Sequence, residues 1–115
     1  MVTIDDVRSI TANLPRAYEA VVRDRVKFRV GRIVFAALSR DETLIGFGFP
    51  KEEREALVEM DPVRYFMPGA GDLRYNWVCA RMAELDRDLL ADHLLEAWEM
   101  CVPKSVAAAY LADRS

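Results

Sequence analysis

The stretch Asp86–Val102, DRDLLADHLLEAWEMCV, constrains the fold more than any other part of the chain. Leu90, Leu94, Ala97, Trp98 and Cys101 recur at three- and four-residue steps, so they share one stripe of a helix. Asp88, Asp92, Glu96 and Glu99 fall on the opposite side. A helix in a globular protein is held mostly by the packing of its apolar face. This stripe therefore needs a partner surface, and the middle of the chain offers one large candidate, a β-sheet.

The first element is a helix over Thr3–Leu14, with Thr3 as cap, Asp6 as its box partner and Pro15 as the stop. Residues 20–49 predict a three-strand meander. Val26, Phe28 and Val30 alternate with Lys27 and Arg29, and Gly31-Arg32 forms a tight turn. Ile33–Leu38 is a continuous apolar strand, and Thr43–Phe49 alternates again up to Pro50. Lys51–Met60 predicts a short polar helix with Ala56, Leu57 and Met60 inward, and 62–74 a loop. Tyr75–Ala83 predicts the last strand, with Val78, Ala80 and Met82 on one face and Tyr75, Trp77, Cys79 and Arg81 on the other. After the organising helix, Pro103 breaks the chain before a final helical segment over Ser105–Leu111. This order predicts an α+β two-layer sandwich: one antiparallel sheet with N- and C-terminal helices packed on it, in a single domain over 1–115. The 115 residues suffice for a core without staples.

Several classes are excluded. No apolar run approaches the ~18 residues of a membrane span, and MVTIDDVRS lacks the basic start and apolar block of a signal peptide. A cytoplasmic protein follows as the expectation, with Cys79 and Cys101 as buried reduced thiols. There is no G-x-S-x-G, C-x-x-C, H-E-x-x-H or P-loop. Cys101 lies two helical turns from the only histidine, His93, about 12 Å along the axis and too far for direct proton transfer. No catalytic residue, cofactor or metal is expected. His93 with Asp88, Asp92 and Glu96 makes only a weak metal-ligand set, and a solvated acidic face explains those carboxylates better.

The strongest functional signal is the run Arg23–Arg32. Its cations Arg23, Arg25, Lys27, Arg29 and Arg32 face one acid, Asp24, so the segment carries +4 in a chain of net charge -3. If the strand starts early, Arg23, Arg25, Lys27 and Arg29 share one face at about 6.5–7 Å intervals. Such a row can track a phosphate backbone. The plainer possibility is a solvated face neutralised by Glu19, Glu42 or acids on a neighbouring strand. Trp77 and Arg81 join the candidate surface if their face is the same one, above the bare backbone of Gly46 and Gly48, since rings stack on bases while cations hold phosphates. Here the plainer possibility is that Trp77 packs under a helix or fills the space over the glycines. The sequence pI of about 5.2 speaks against a generic nucleic-acid binder but not against one basic patch.

Five segments together resemble the MmcQ/YjbR family of small bacterial proteins. They are IDDVRSITANLP, KFRVGRIVFAALSRDETL, EEREALVEMDPVRYF, NWVCARM and LLEAWEMCVPKSVAAAY, and they cover nearly the whole chain in order and spacing. The resemblance implies a CyaY-like, frataxin-related α/β sandwich and a DNA-binding role, with no catalytic residues attached. The expected function is therefore a non-enzymatic domain binding DNA through Arg23, Arg25, Lys27 and Arg29, with Trp77 and Arg81 as accessory residues. The alternative is a protein-interaction or small-ligand module using 62–74 and the face around Trp77. It would act as a homodimer if Leu95, which falls among acids on the far side of the helix, is exposed.

Overall fold

The alternating RVKFRV segment forms β2 (Arg25–Val30), and strands pair on both its sides in the computed structural model, which describes residues 1–114. β3 (Ile33–Leu38) and β4 (Leu44–Gly48) follow as the meander predicts, with Gly31 at φ +60° making the first turn. Two strands were not expected. Ala17–Val22 forms β1, an edge strand antiparallel to β2, and Tyr65–Phe66 forms the two-residue β5 inside the predicted loop. With β6 (Trp77–Arg81) they complete a six-stranded antiparallel sheet of order β1-β2-β3-β4-β6-β5.

The helices lie on one side of this sheet. α1 (Ile4–Thr11) and α3 (Arg87–Glu99) pack together, with α3 against β3 and β4. α2 (Lys51–Met60) lies beside β5 and β6, and α4 (Lys104–Arg114) sets Tyr110 edge-on to Trp98, ring centres 5.2 Å apart. The two-layer α+β sandwich holds as predicted. No described helix is long and apolar enough to cross a membrane.

The α3 stripe behaves as its periodicity demands: Leu90, Leu94, Ala97 and Trp98 are fully buried against Phe28, Phe35, Ile45 and Phe47 of the sheet and its neighbours. Asp88, Asp92 and Glu96 stay exposed. Phe35 and Ala36, although consecutive, are both fully buried, because β3 carries an extra residue where the register shifts opposite Phe28 and Arg29. Such a bulge sharpens strand twist and bends the sheet.

Leu95 is not exposed. Leu95 is half-buried in a small recess between the N-terminal segment and α4, beside Ile10, Leu14 and Tyr110 and rimmed by Arg87, Asp88 and Asp92, so the motive for a dimer through this helix disappears. Ala56 and Met60 are exposed, Met60 by 75%, and α2 turns Arg54, Leu57 and Val58 inward instead. Neither cysteine is fully buried; both are free and half-buried.

His93 faces the core rather than the acids beside it. Its ring stacks on Phe47 at 4.6 Å, and Nε2 lies 2.6 Å from the Tyr65 hydroxyl. That removes it from the weak metal set. Among the described residues no three His, Cys, Asp or Glu side chains come together to hold a metal ion. Burial pushes the His93 pKa below its ordinary 6.5, with Asp92 opposing and Arg64 adding to the effect. In the unfolded chain the imidazole takes a proton first as pH falls through 6.5, so the unfolded state gains stability below that pH. The urea midpoint should fall between about pH 7.5 and pH 5.5, and His93→Leu should flatten that dependence. An equally steep dependence in the variant would assign it to other groups.

Candidate functional site

Alternation and pairing decide what the face away from the helices displays. Arg25 and Lys27 stand two apart on β2 and point to that face together, about 6.5–7 Å from each other. Their cross-strand neighbours are Val22 and Ala20 on β1 and, for Lys27, Ala37 on β3. No flanking strand sets a carboxylate beside them. Glu19, the expected neutraliser, pairs in register with Phe28 and so turns to the helix side. There Arg8 of α1 donates to both of its carboxylate oxygens, at 2.9 and 3.0 Å. Among the described residues, the charged groups of Arg25, Lys27 and Arg32 have no ion-pair or hydrogen-bond partner.

The predicted row is shorter than four. Arg23 and Asp24 form the two-residue turn between β1 and β2, with φ of 53° and 66°, so Arg23 leaves the strand before the row begins. That turn geometry normally selects Asn-Gly, which is why RDR reads as strand in the sequence. Arg29 keeps the parity of the row, opposite Tyr18 and Val34, but its Nε is buried with no partner.

From Lys27 one register row crosses the sheet through Ala37, Gly46 and Cys79 to Phe66. Its middle members are small, so the sheet sinks there. Together with the twist from the β3 bulge this produces a concavity of about 870 Å³. Arg25, Lys27 and Arg32 stand at one side, Trp77 and Tyr75 at the other, and Asp72 is the single acid in the lining.

The register puts Trp77 on the same face as Lys27, but Gly46 is not bare: the indole sets its N–H edge, Nε1 nearest, into the space over it. A Cβ on Gly46 would fall 2.8 and 2.9 Å from the indole Cε2 and Cζ2. Gly48 is not bare either, since a Cβ there would touch the Ala97 methyl at 3.4 Å. Filling the space over a glycine is thus what this tryptophan does, while a minor part of its surface stays accessible within the concavity. Gly46→Ala should displace the indole, redden the Trp77 emission and cost about 1–3 kcal/mol as an overpacked site. An unchanged spectrum would mean that the ring does not rest there.

Arg81 is engaged elsewhere. Its guanidinium lies 4.8 Å from the Phe66 ring centre and donates to the Val63 carbonyl at 3.0 Å. It braces 62–66 against β6 and does not line the concavity. Tyr75, 51% exposed at the rim, is backed by the Arg74 guanidinium 4.8 Å from its ring centre.

One residue that matters to the site goes unread in the sequence. Arg54 sits in KEEREALVEM among charges that suggest solvent, yet it is buried. It donates to the backbone carbonyls of Tyr75 at 2.9 Å, Trp77 at 3.1 Å and also Leu73. A guanidinium in a rigid fork suits three such acceptors. It fixes the segment that carries both aromatic residues of the rim. Cys79, on the floor, is pushed up to about 11 by burial, with Asp72 adding to the effect, so its thiol stays protonated at neutral pH.

The architecture is similar to a solved one. The crystal structure of Deinococcus radiodurans protein DR2400, with a DUF419 family domain, matches with a TM-score of 0.77 at 20% identity, over 96% of this chain and 88% of that one. At that identity the likeness shows the fold alone. No curated protein matches the chain. The sequence pattern of the YjbR family matches residues 12–100, well over half of the length and a range that holds three of the five segments whole, and the chain belongs to the YjbR family.

Proposed function

We propose that this domain is a non-enzymatic DNA-binding module, and that Arg25, Lys27 and Arg32 hold phosphates at the edge of the concave sheet face. The observation that carries this function is the lack of neutralisation. Apolar residues flank Lys27 across both strands and Arg25 across β1, and the expected counter-acid is bound by Arg8 on the other face. In a chain of net charge -3, three unpaired cations at one concavity mark a local surface for an anion. The exposed acids of α3 lie on the opposite layer and keep DNA from that side.

Fluorescence anisotropy with labelled DNA at about 50 and 200 mM salt tests the proposal. Three phosphate contacts give a log–log salt slope of about -2 to -3. Arg25→Glu with Lys27→Glu should lower the slope by about 2 and weaken binding by about a hundredfold. Salt-insensitive binding, or binding unchanged in the double variant, would refute it. The volume of the concavity also favours a second reading, a small anionic ligand, because sites for single molecules span about 300–1,000 Å³.

A further inference from the structure

Resting on the DNA-binding function proposed above, the geometry points to single-stranded DNA as the form that fits: one phosphate at Lys27 and its neighbours, with an unstacked base lying over Ala37 against the indole of Trp77. Four observations converge on this. The register row Lys27–Ala37–Gly46 places the backbone of Lys27 two strand spacings, about 9–10 Å, from the backbone that Trp77 covers. Only a methyl group stands between them, so the floor is low and flat. The N–H edge of the indole rests against Gly46, and the part of the ring that stays accessible lines the concavity, where a base can meet it. The lining is charged at one side only: Arg25, Lys27 and Arg32 attract phosphate, while Asp72 near Tyr75 repels it and leaves that end to the base.

A duplex cannot use this arrangement. Its bases are stacked and paired, so it would meet the surface with phosphates and groove edges alone. It would then reach only the three cations at the rim, which is a small footprint for a polymer carrying one charge per ~1.7 Å. A single strand turns a base out without first breaking a pair, and adds base–aromatic stacking to the phosphate contacts. The volume suits roughly one or two nucleotides.

The test compares a short oligothymidylate with a duplex of equal length on the intact protein, by anisotropy together with intrinsic tryptophan fluorescence. Trp98 is fully buried, so quenching on binding reports Trp77. The single strand should bind at least about tenfold more tightly than the duplex and quench the emission. Trp77→Ala should weaken single-strand binding by about ten- to a hundredfold, the range expected for one stacked base. Tyr75→Ser, a change at an exposed side chain, provides a second reading of the aromatic rim should the tryptophan variant lose its fold, with a smaller loss expected. Duplex bound as tightly as single strand with no quenching would overturn this inference while leaving the DNA-binding function standing. Thymidine monophosphate binding as tightly as the oligonucleotide would overturn it in favour of a small-ligand site. Failure of both nucleic acids to bind would remove the DNA-binding function itself.

Discussion

Arg54→Ala is expected to lower the unfolding free energy by about 3 kcal/mol and the melting temperature by about 10–20 °C. The substitution removes hydrogen bonds from a charged donor to the carbonyls of Leu73, Tyr75 and Trp77 in one step. Bonds to charged groups contribute about 1.5–3 kcal/mol each when measured singly, and three on one group do not add fully. Water can reach part of the opened segment, which sets the estimate near the lower end of the sum. Arg54→Lys should recover only a fraction, because an ammonium on a single stem cannot span three acceptors as a guanidinium fork does. The same substitutions should reach the site: with 73–77 released, Trp77 loses its fixed seat over Gly46, and its emission should shift to the red at temperatures where the fold persists. Thermal melts with fluorescence detection measure both effects. A loss below about 1 kcal/mol would mean that the buried guanidinium is not what holds the rim.

Trp98→Ala should be more damaging still. Trp98 is the largest fully buried side chain, and its Nε1–H donates to the Pro15 carbonyl at 2.7 Å. Truncating a buried tryptophan costs about 3–5 kcal/mol, and the orphaned carbonyl adds to it. Against a total of about 5–15 kcal/mol for a domain, this leaves the variant close to unfolded at 37 °C. Trp98→Phe keeps most of the apolar surface and loses the hydrogen bond, so a cost of about 1–2 kcal/mol is expected. Urea titrations of the two variants separate the packing contribution from that of the hydrogen bond. Equal losses would show that the hydrogen bond to Pro15 carries the effect.

These two residues also mark what the sequence makes legible. Trp98 belongs to a stripe of period 3.6, and the periodicity alone places it in the core. The same logic of period two puts Trp77 and Lys27 on one face of the sheet. Arg54 breaks no pattern in its own helix: its burial is set by carbonyls some twenty residues away in sequence, which no local signal announces. The β1 strand escapes for a related reason. AYEAVV has strand-forming residues, but its exposed edge position mixes faces, with Val21 68% exposed, so no clean alternation appears. The Arg23-Asp24 turn hides because both residues adopt φ > 0 without the glycine or asparagine that usually signals it. Leu95 looks exposed on its own helix, and only the N-terminal segment and α4, distant in sequence, close around it. Local periodicity therefore recovers the layers, while the site depends on register, a bulge and one long-range clamp.

The central claim is that the concave face between β2 and β6 takes the nucleic acid. Backbone amide chemical-shift mapping of the labelled protein during titration with a short single-stranded oligonucleotide tests it most directly. Shifts should concentrate on Arg25, Lys27, Ala37, Gly46 and the Trp77 indole N–H, and leave α3 and α4 unmoved. Shifts centred on the helical layer, or none at all at saturating oligonucleotide, would contradict the account.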